Sequence, residues 1–167
     1  MTEPRYPRPI GEVPDQTRRL ADRAVFTHAY ALSPRGGMRD IVTSQLPHWR
    51  DSRAWILARP LSGFAETFSQ LMVEIQPGGG SDRPEPDPQG EGAYFVMHGQ
   101  VAIELPDRTE HLEPGGFAWM APGERYRIST PGETPACVQW IRKAYEPVPD
   151  IDVPASYALD AHRVEPV

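Results

Sequence analysis

At 167 residues, the chain suits one domain, long enough to bury roughly 70% of the surface its unfolded form exposes. Its 17 lysines and arginines stand against 23 acidic residues, a net charge of -6, which argues against general affinity for nucleic acid or for anionic membrane surfaces. The 20 prolines exclude a largely helical protein, since each one inside a helix costs about 3 kcal/mol, and they fit loops and strand edges.

Residues 1–17 carry Pro4, Pro7, Pro9 and Pro14 and little that packs, so they read as an extended N-terminal arm. They hold no apolar core of signal-peptide length. Nowhere do apolar residues run to about 18, as a membrane span requires, so the chain reads as cytoplasmic. Gln16 to Arg23 is the one short segment with helical character. The ordered domain is expected over residues 18–145. Short apolar stretches recur there between turn signals: Ala24–Leu32, Met38–Val42, Ala54–Ala58, Phe64–Ile75, Ala93–Met97, Val101–Leu105, Phe117–Met120 and Ala136–Ile141. That rhythm predicts an all-β sandwich or barrel. Leu71, Val73 and Ile75 alternate with more polar neighbours, as do Val101, Ile103 and Leu105, so each set should share one strand face. The His98-Gly99-Gln100 step predicts a hairpin between the two flanking strands, with Gly99 free to take a positive φ. Cys137, the single cysteine, cannot form an internal disulfide and reads as a buried small hydrophobe. Residues 146–167 are rich in proline and aspartate without a strand pattern, as a linker, tail or surface strap would be, and the chain stops as though something should follow.

Two glycine-punctuated blocks concentrate the chemistry: PGGGSDRPEPDPQGEGAYFVMHGQVAIEL from Pro77 and HLEPGGFAWMAPGERYRIST from His111. They resemble the paired motifs of metal-binding cupins, which implies a jelly-roll β-barrel. In such motifs three histidines and a glutamate hold a divalent cation at about 2.0 to 2.2 Å with one coordination position open. Anchored on Gly99, the resemblance puts the histidine positions of the first motif at Pro86 and Pro88 and its glutamate at Gly92. The second motif runs from Gly115 to Gly123 and puts its histidine at Tyr126. None of these is a side chain expected to ligate, so no metal is expected in this chain. The alternative is a longer spacer, which offers Glu85, Asp87 and Glu91. Carboxylates about 4 Å apart repel by roughly 4 kcal/mol at an effective dielectric of 20, so they would share a buried site only with a cation between them.

The five histidines are scattered, and His98, inside the motif, sits at a turn. Tyr126 and Arg125, at the rim of the second motif, stand first in line for a small-molecule ligand, followed by Trp119 and Tyr94. Trp140, Phe95 and Phe117 are further aromatic candidates for a pocket wall. A metal-independent isomerase would have to pair His98 or His111 with Tyr126.

Longer segments carry a more specific resemblance: RAVFTHAYAL, SPRGGMRDIVTSQLPHW, SGFAETFSQLMVEIQPGGG, EGAYFVMHGQVAIE, HLEPGGFAWMAPGE and WIRKAYEPV. Together they resemble the N-terminal half of the (S)-ureidoglycine aminohydrolase family, bicupin enzymes of allantoin and purine degradation. The resemblance implies that the first cupin has lost its ligands, while a second, absent from these residues, binds manganese and hydrolyses ureidoglycine to ureidoglycolate and ammonia. It further implies a scaffold and oligomerisation role beside that second cupin half and other subunits, with no catalysis by this chain alone. The competing expectation is a free-standing, metal-free cupin that binds a small polar metabolite.

Overall fold

The alternation of Leu71, Val73 and Ile75 becomes the inward face of a long strand, and the rest of the molecule is built around it. A computed structural model describes residues 25–27, 30–32, 44–59 and 67–160. The expected arm, the short helix at Gln16 to Arg23 and the Met38–Val42 stretch lie outside the described residues. Among the described residues every regular element is a strand. In chain order these are β1 (Val25–Phe26), β2 (Ala31–Leu32), β3 (Trp49–Ala58), β4 (Phe68–Ser81), β5 (Gly90–His98) and β6 (Val101–Glu104). They are followed by β7 (Thr109–Leu112), β8 (Phe117–Met120), β9 (Arg127–Ser129), β10 (Ala136–Ala144) and β11 (Tyr157–Leu159).

β1 and β2 pair only with each other, whereas the other nine strands form one sheet in the order β11-β8-β5-β10-β4-β9-β6-β7, with β3 also on β4. The length of β4 lets one strand serve two layers. Its first half pairs with β10, Leu71 opposite Trp140 and Ile75 opposite Ala136, and its last residues, Gly80 and Ser81, pair with β9. The free ends meet on the far side, where Arg108 in the β6–β7 turn donates to the Ser156 carbonyl at 2.7 Å, just before β11. The result is a nearly closed jelly-roll barrel, the architecture the cupin resemblance implied.

Inward side chains fill the barrel. Val73, Ile75, Val96, Ile103 and Val138 have no more than a trace of exposed surface; fully burying an aliphatic side chain of this kind stabilises the fold by about 1.5–3 kcal/mol. Val101 and Leu105 share the inward face with Ile103, as the alternation predicted. Cys137 is buried, as its apolar surroundings in the sequence predicted.

Two expectations are corrected. The step at His98-Gly99-Gln100 is not a hairpin: β5 pairs with β8 and β10, and β6 pairs with β7 and β9, so the turn carries the chain from one layer to the other. Gly99 does take a positive φ, 73°, and a Cβ there would lie 2.6 Å from the Pro135 carbonyl oxygen, so both conformation and space require glycine. The tail, read as lacking a strand, contributes β11 at the edge of β8, Tyr157 opposite Trp119. Pro147 to Pro154 runs between without strand pairing, as a strap would.

Candidate functional site

The inward positions at the start of β5 are glycines, Gly90 and Gly92, and their missing side chains open the space in which the site is built. A Cβ on Gly90 would lie 2.7 Å from the Glu85 carboxyl carbon. The Glu85 side chain is only 5% exposed, and both its oxygens accept from Arg142 of β10, one from Nε and the other from Nη2. This is the bidentate fork that suits guanidinium and carboxylate. The loop that delivers Glu85 is braced by its own bonds, with Asp87 N donating to Glu85 Oε1 at 2.9 Å and Gly90 N to the Asp87 carbonyl at 3.0 Å.

Deeper in the barrel, Tyr94 of β5 and Tyr126 of the second motif share a buried hydroxyl–hydroxyl bond of 2.8 Å. Burial raises the pKa of Tyr94 far above the phenol range, with Tyr126 and then Glu85 adding to the effect. Burial likewise raises Tyr126; Glu85 adds to the rise, while the bond to Tyr94 and the Arg142 guanidinium oppose it. Both hydroxyls therefore stay protonated. Trp140 stacks on Tyr94 with ring centroids 5.6 Å apart and planes at 11°, and the Arg142 guanidinium lies over the Trp140 ring, 5.4 Å from its centroid. The Trp140 Nε1 hydrogen is buried and has no acceptor among the described residues.

A cavity of about 510 Å³ opens over this floor, lined by the loop from Asp82 to Pro88, by Gly90, Gly92 and Met120, and by the segment from Ala121 to Tyr126. Its rim carries a second ionic contact, Asp82 with Arg127 at 2.9 Å and with Arg50 at 3.2 Å. The Arg127 hydrogen bond, helped by the charges of Arg127 and Arg50, lowers the Asp82 carboxyl below its ordinary range.

The structure separates the candidates named from sequence. Tyr94 and Tyr126 meet, and Arg125 stands exposed at the mouth of the same cavity. Trp119 lies on the other face of the sheet: Ala118 and Met120 point inward, while Trp119 donates to Glu91 at 3.1 Å and stacks on Tyr157 of the tail. Phe117 and Phe95 share that outer face, Phe117 also against Tyr157 and Phe95 at 39% exposure. His98 and His111 are exposed on strands, and neither lines the cavity.

The carboxylate set Glu85, Asp87 and Glu91 does not converge. Glu85 is committed to Arg142, Asp87 accepts from Gln89 N, and Glu91 faces outward toward Trp119 and Lys143. Among the described residues no three of His, Cys, Asp and Glu are grouped to hold a metal ion. The residues at the motif's ligand positions do not fit one either: Pro86, Pro88 and Gly92 offer no donor, and the Tyr126 hydroxyl is held in its bond to Tyr94. Sequence reasoning missed Arg142 as part of the site and named Trp140 only as an aromatic candidate for a pocket wall. The signal available was Arg142 standing two residues after Trp140 on a strand, hence on the same face.

A family model of the cupin domain matches residues 71–142. A search of curated proteins finds no match. Among solved structures, a Pseudomonas aeruginosa protein described as glyoxylate induced is 44% identical and superposes with a TM-score of 0.80, over 97% of this chain and 58% of its own. Protein Ylba of E. coli, 22% identical, superposes with a TM-score of 0.76 over 90% of this chain and 60% of its own. The polyketide cyclase RemF of Streptomyces resistomycificus, at 20% identity and a TM-score of 0.54, covers 71% of this chain and 79% of its own. At those identities the last two show the fold alone. The chain spans less than two thirds of the length of the first two.

Proposed function

We propose that this chain, which carries a cupin domain and the cupin fold, is the metal-free lobe of a ureidoglycine aminohydrolase-like assembly, a scaffold that packs against a catalytic cupin and other subunits. One observation carries the reading. Each position where the metal motif would place a ligand holds a residue unable to serve, and Glu85, a carboxylate that reaches the interior, is locked by Arg142. Metal-assisted hydrolysis needs a cation with an open coordination position and a polarised water or substrate, and these residues do not provide for one. The 44% identity to a longer chain, of which this one covers 58%, supports the role of one lobe among two. What the chain's own residues supply is rigidity: a filled barrel and an outer sheet face carrying Phe95 and Ile141.

Ammonia release from ureidoglycine in the presence of manganese tests the proposal. The chain alone should not exceed the protein-free blank, and adding a metal-ligating cupin lobe, in the same chain or separately, should produce turnover. Strong turnover by the chain alone would defeat it.

A further inference from the structure

The interior of this barrel holds buried donors whose acceptors are not all supplied by the described side chains. Two tyrosine hydroxyls carry two hydrogens, and the 2.8 Å bond between Tyr94 and Tyr126 uses one, so the other is left to find an acceptor elsewhere. Trp140 Nε1 donates and cannot accept, and among the described residues it has no partner. The three residues are 1%, 5% and 3% exposed, so they have little contact with bulk water. A buried donor left without an acceptor costs about 1–3 kcal/mol, which a ligand that supplies one recovers on binding.

Gly92 gives these donors a common opening. A Cβ there would lie 3.1 Å from Trp140 Nε1 and 3.6 Å from the Tyr94 ring edge. Without it, the cavity floor has a notch beside the indole N–H, and Gly92 and Tyr126 both line that cavity. Its volume, about 510 Å³, falls in the range of small-molecule sites. Glu85 is neutralised by Arg142 and Asp82 by Arg127 and Arg50, whereas among the described residues the Arg125 guanidinium has no partner. Of the other charges that line the cavity, Arg83 donates to the Pro86 carbonyl, Asp87 accepts from Gln89 N and Glu124 accepts from the Ser156 hydroxyl.

We propose that this cavity is a binding site for a small carboxylate, which accepts from the spare phenolic O–H of the Tyr94–Tyr126 pair and from Trp140 Nε1 over Gly92, with Arg125 countering its charge at the mouth. The site belongs to this chain alone and does not depend on a companion lobe.

The test is titration of the full chain, labelled with nitrogen-15, with sodium glycolate and sodium malonate at constant ionic strength and with acetamide as a neutral comparator. The Trp140 indole resonance is assigned by elimination with Trp49→Phe, Trp55→Phe and Trp119→Phe. It should shift saturably with at least one of the acids and far less with acetamide. Tyr126→Phe, which keeps the ring and removes the hydroxyl, should weaken binding about tenfold. Gly92→Ala, at an ordinary φ, should fill the notch and abolish it. The proposal is overturned if neither acid gives a saturable shift, if acetamide binds as tightly as the acids, or if Tyr126→Phe and Gly92→Ala both bind like the wild type. A crystal structure grown with glycolate that shows only a water bridging Trp140 Nε1 and the tyrosines would overturn it equally.

Discussion

Two acid–arginine contacts flank the same cavity, Glu85 with Arg142 on the barrel side and Asp82 with Arg50 and Arg127 on the rim, and they differ in the water around them. The Glu85 carboxylate is 5% exposed and takes both prongs of one guanidinium, while the Asp82 carboxylate is 55% exposed and shares two arginines that are themselves in solvent. Formal charges alone would rank the rim cluster higher, because two cations meet one anion there. Solvent reverses the order: an exposed pair exchanges one set of good contacts for another, but a carboxylate stripped of water has nothing to fall back on.

The sharpest way to break this comparison is to remove one partner on the barrel side. Arg142→Met keeps the stem over Trp140 and leaves Glu85 buried without a counter-charge, and urea unfolding should show a loss of about 3 kcal/mol. Adding Glu85→Gln should restore much of it. A loss no larger than that of Asp82→Asn would mean that water reaches Glu85 after all.

A second test uses the alkaline side of the pH scale. The phenols of Tyr94 and Tyr126 ionise in the unfolded chain near the ordinary value of 10.0, but burial holds both above it in the folded one. Their raised values leave the folded state binding more protons than the unfolded state as pH climbs. Stability is therefore unaffected by them below about pH 10 and falls above it, with a limiting slope of about 2.7 kcal/mol per pH unit for the two groups. Tyr126→Phe should roughly halve that slope, read from unfolding curves at stepped pH. A slope unchanged by the substitution would show that Tyr126 does not contribute to it.

The smallest effect belongs to the rim. Asp82 is lowered by its arginines, so what it contributes is present above the ordinary aspartate range and fades as pH falls through its lowered value. Asp82→Asn should move the melting temperature little, and molar salt should erase even that difference. A salt-resistant loss would place Asp82 with Glu85 rather than opposite it.

The strands were legible from alternation wherever one face was plainly apolar, as at Leu71, Val73 and Ile75. The pairing across Gly99 was not, because a reversal shows that the chain turns and not which neighbour it meets: the same glycine serves a hairpin or a crossing between layers. β11 escaped notice because its three residues gain their order from the edge of β8 rather than from a pattern of their own. At the site, motif spacing located Gly92 and Tyr126 but failed for Trp119. Phe117 to Met120 is apolar at every position, so the sequence carries no sign of which alternate pair faces inward. The Glu85–Arg142 contact spans 57 residues and arises only when β10 comes to lie beside β5.

The tail has a mechanical consequence. At Tyr145 its backbone N–H is fastened to the Gln89 carbonyl at 2.8 Å, and at Ser156 its hydroxyl accepts from Ala121 N and donates to Glu124. Gln89 adjoins one wall of the cavity, and Ala121 and Glu124 belong to the other. The segment between them is thus a drawstring threaded through both lips of one opening. Three hydrogen bonds tie the course of the tail to the two sides of that opening.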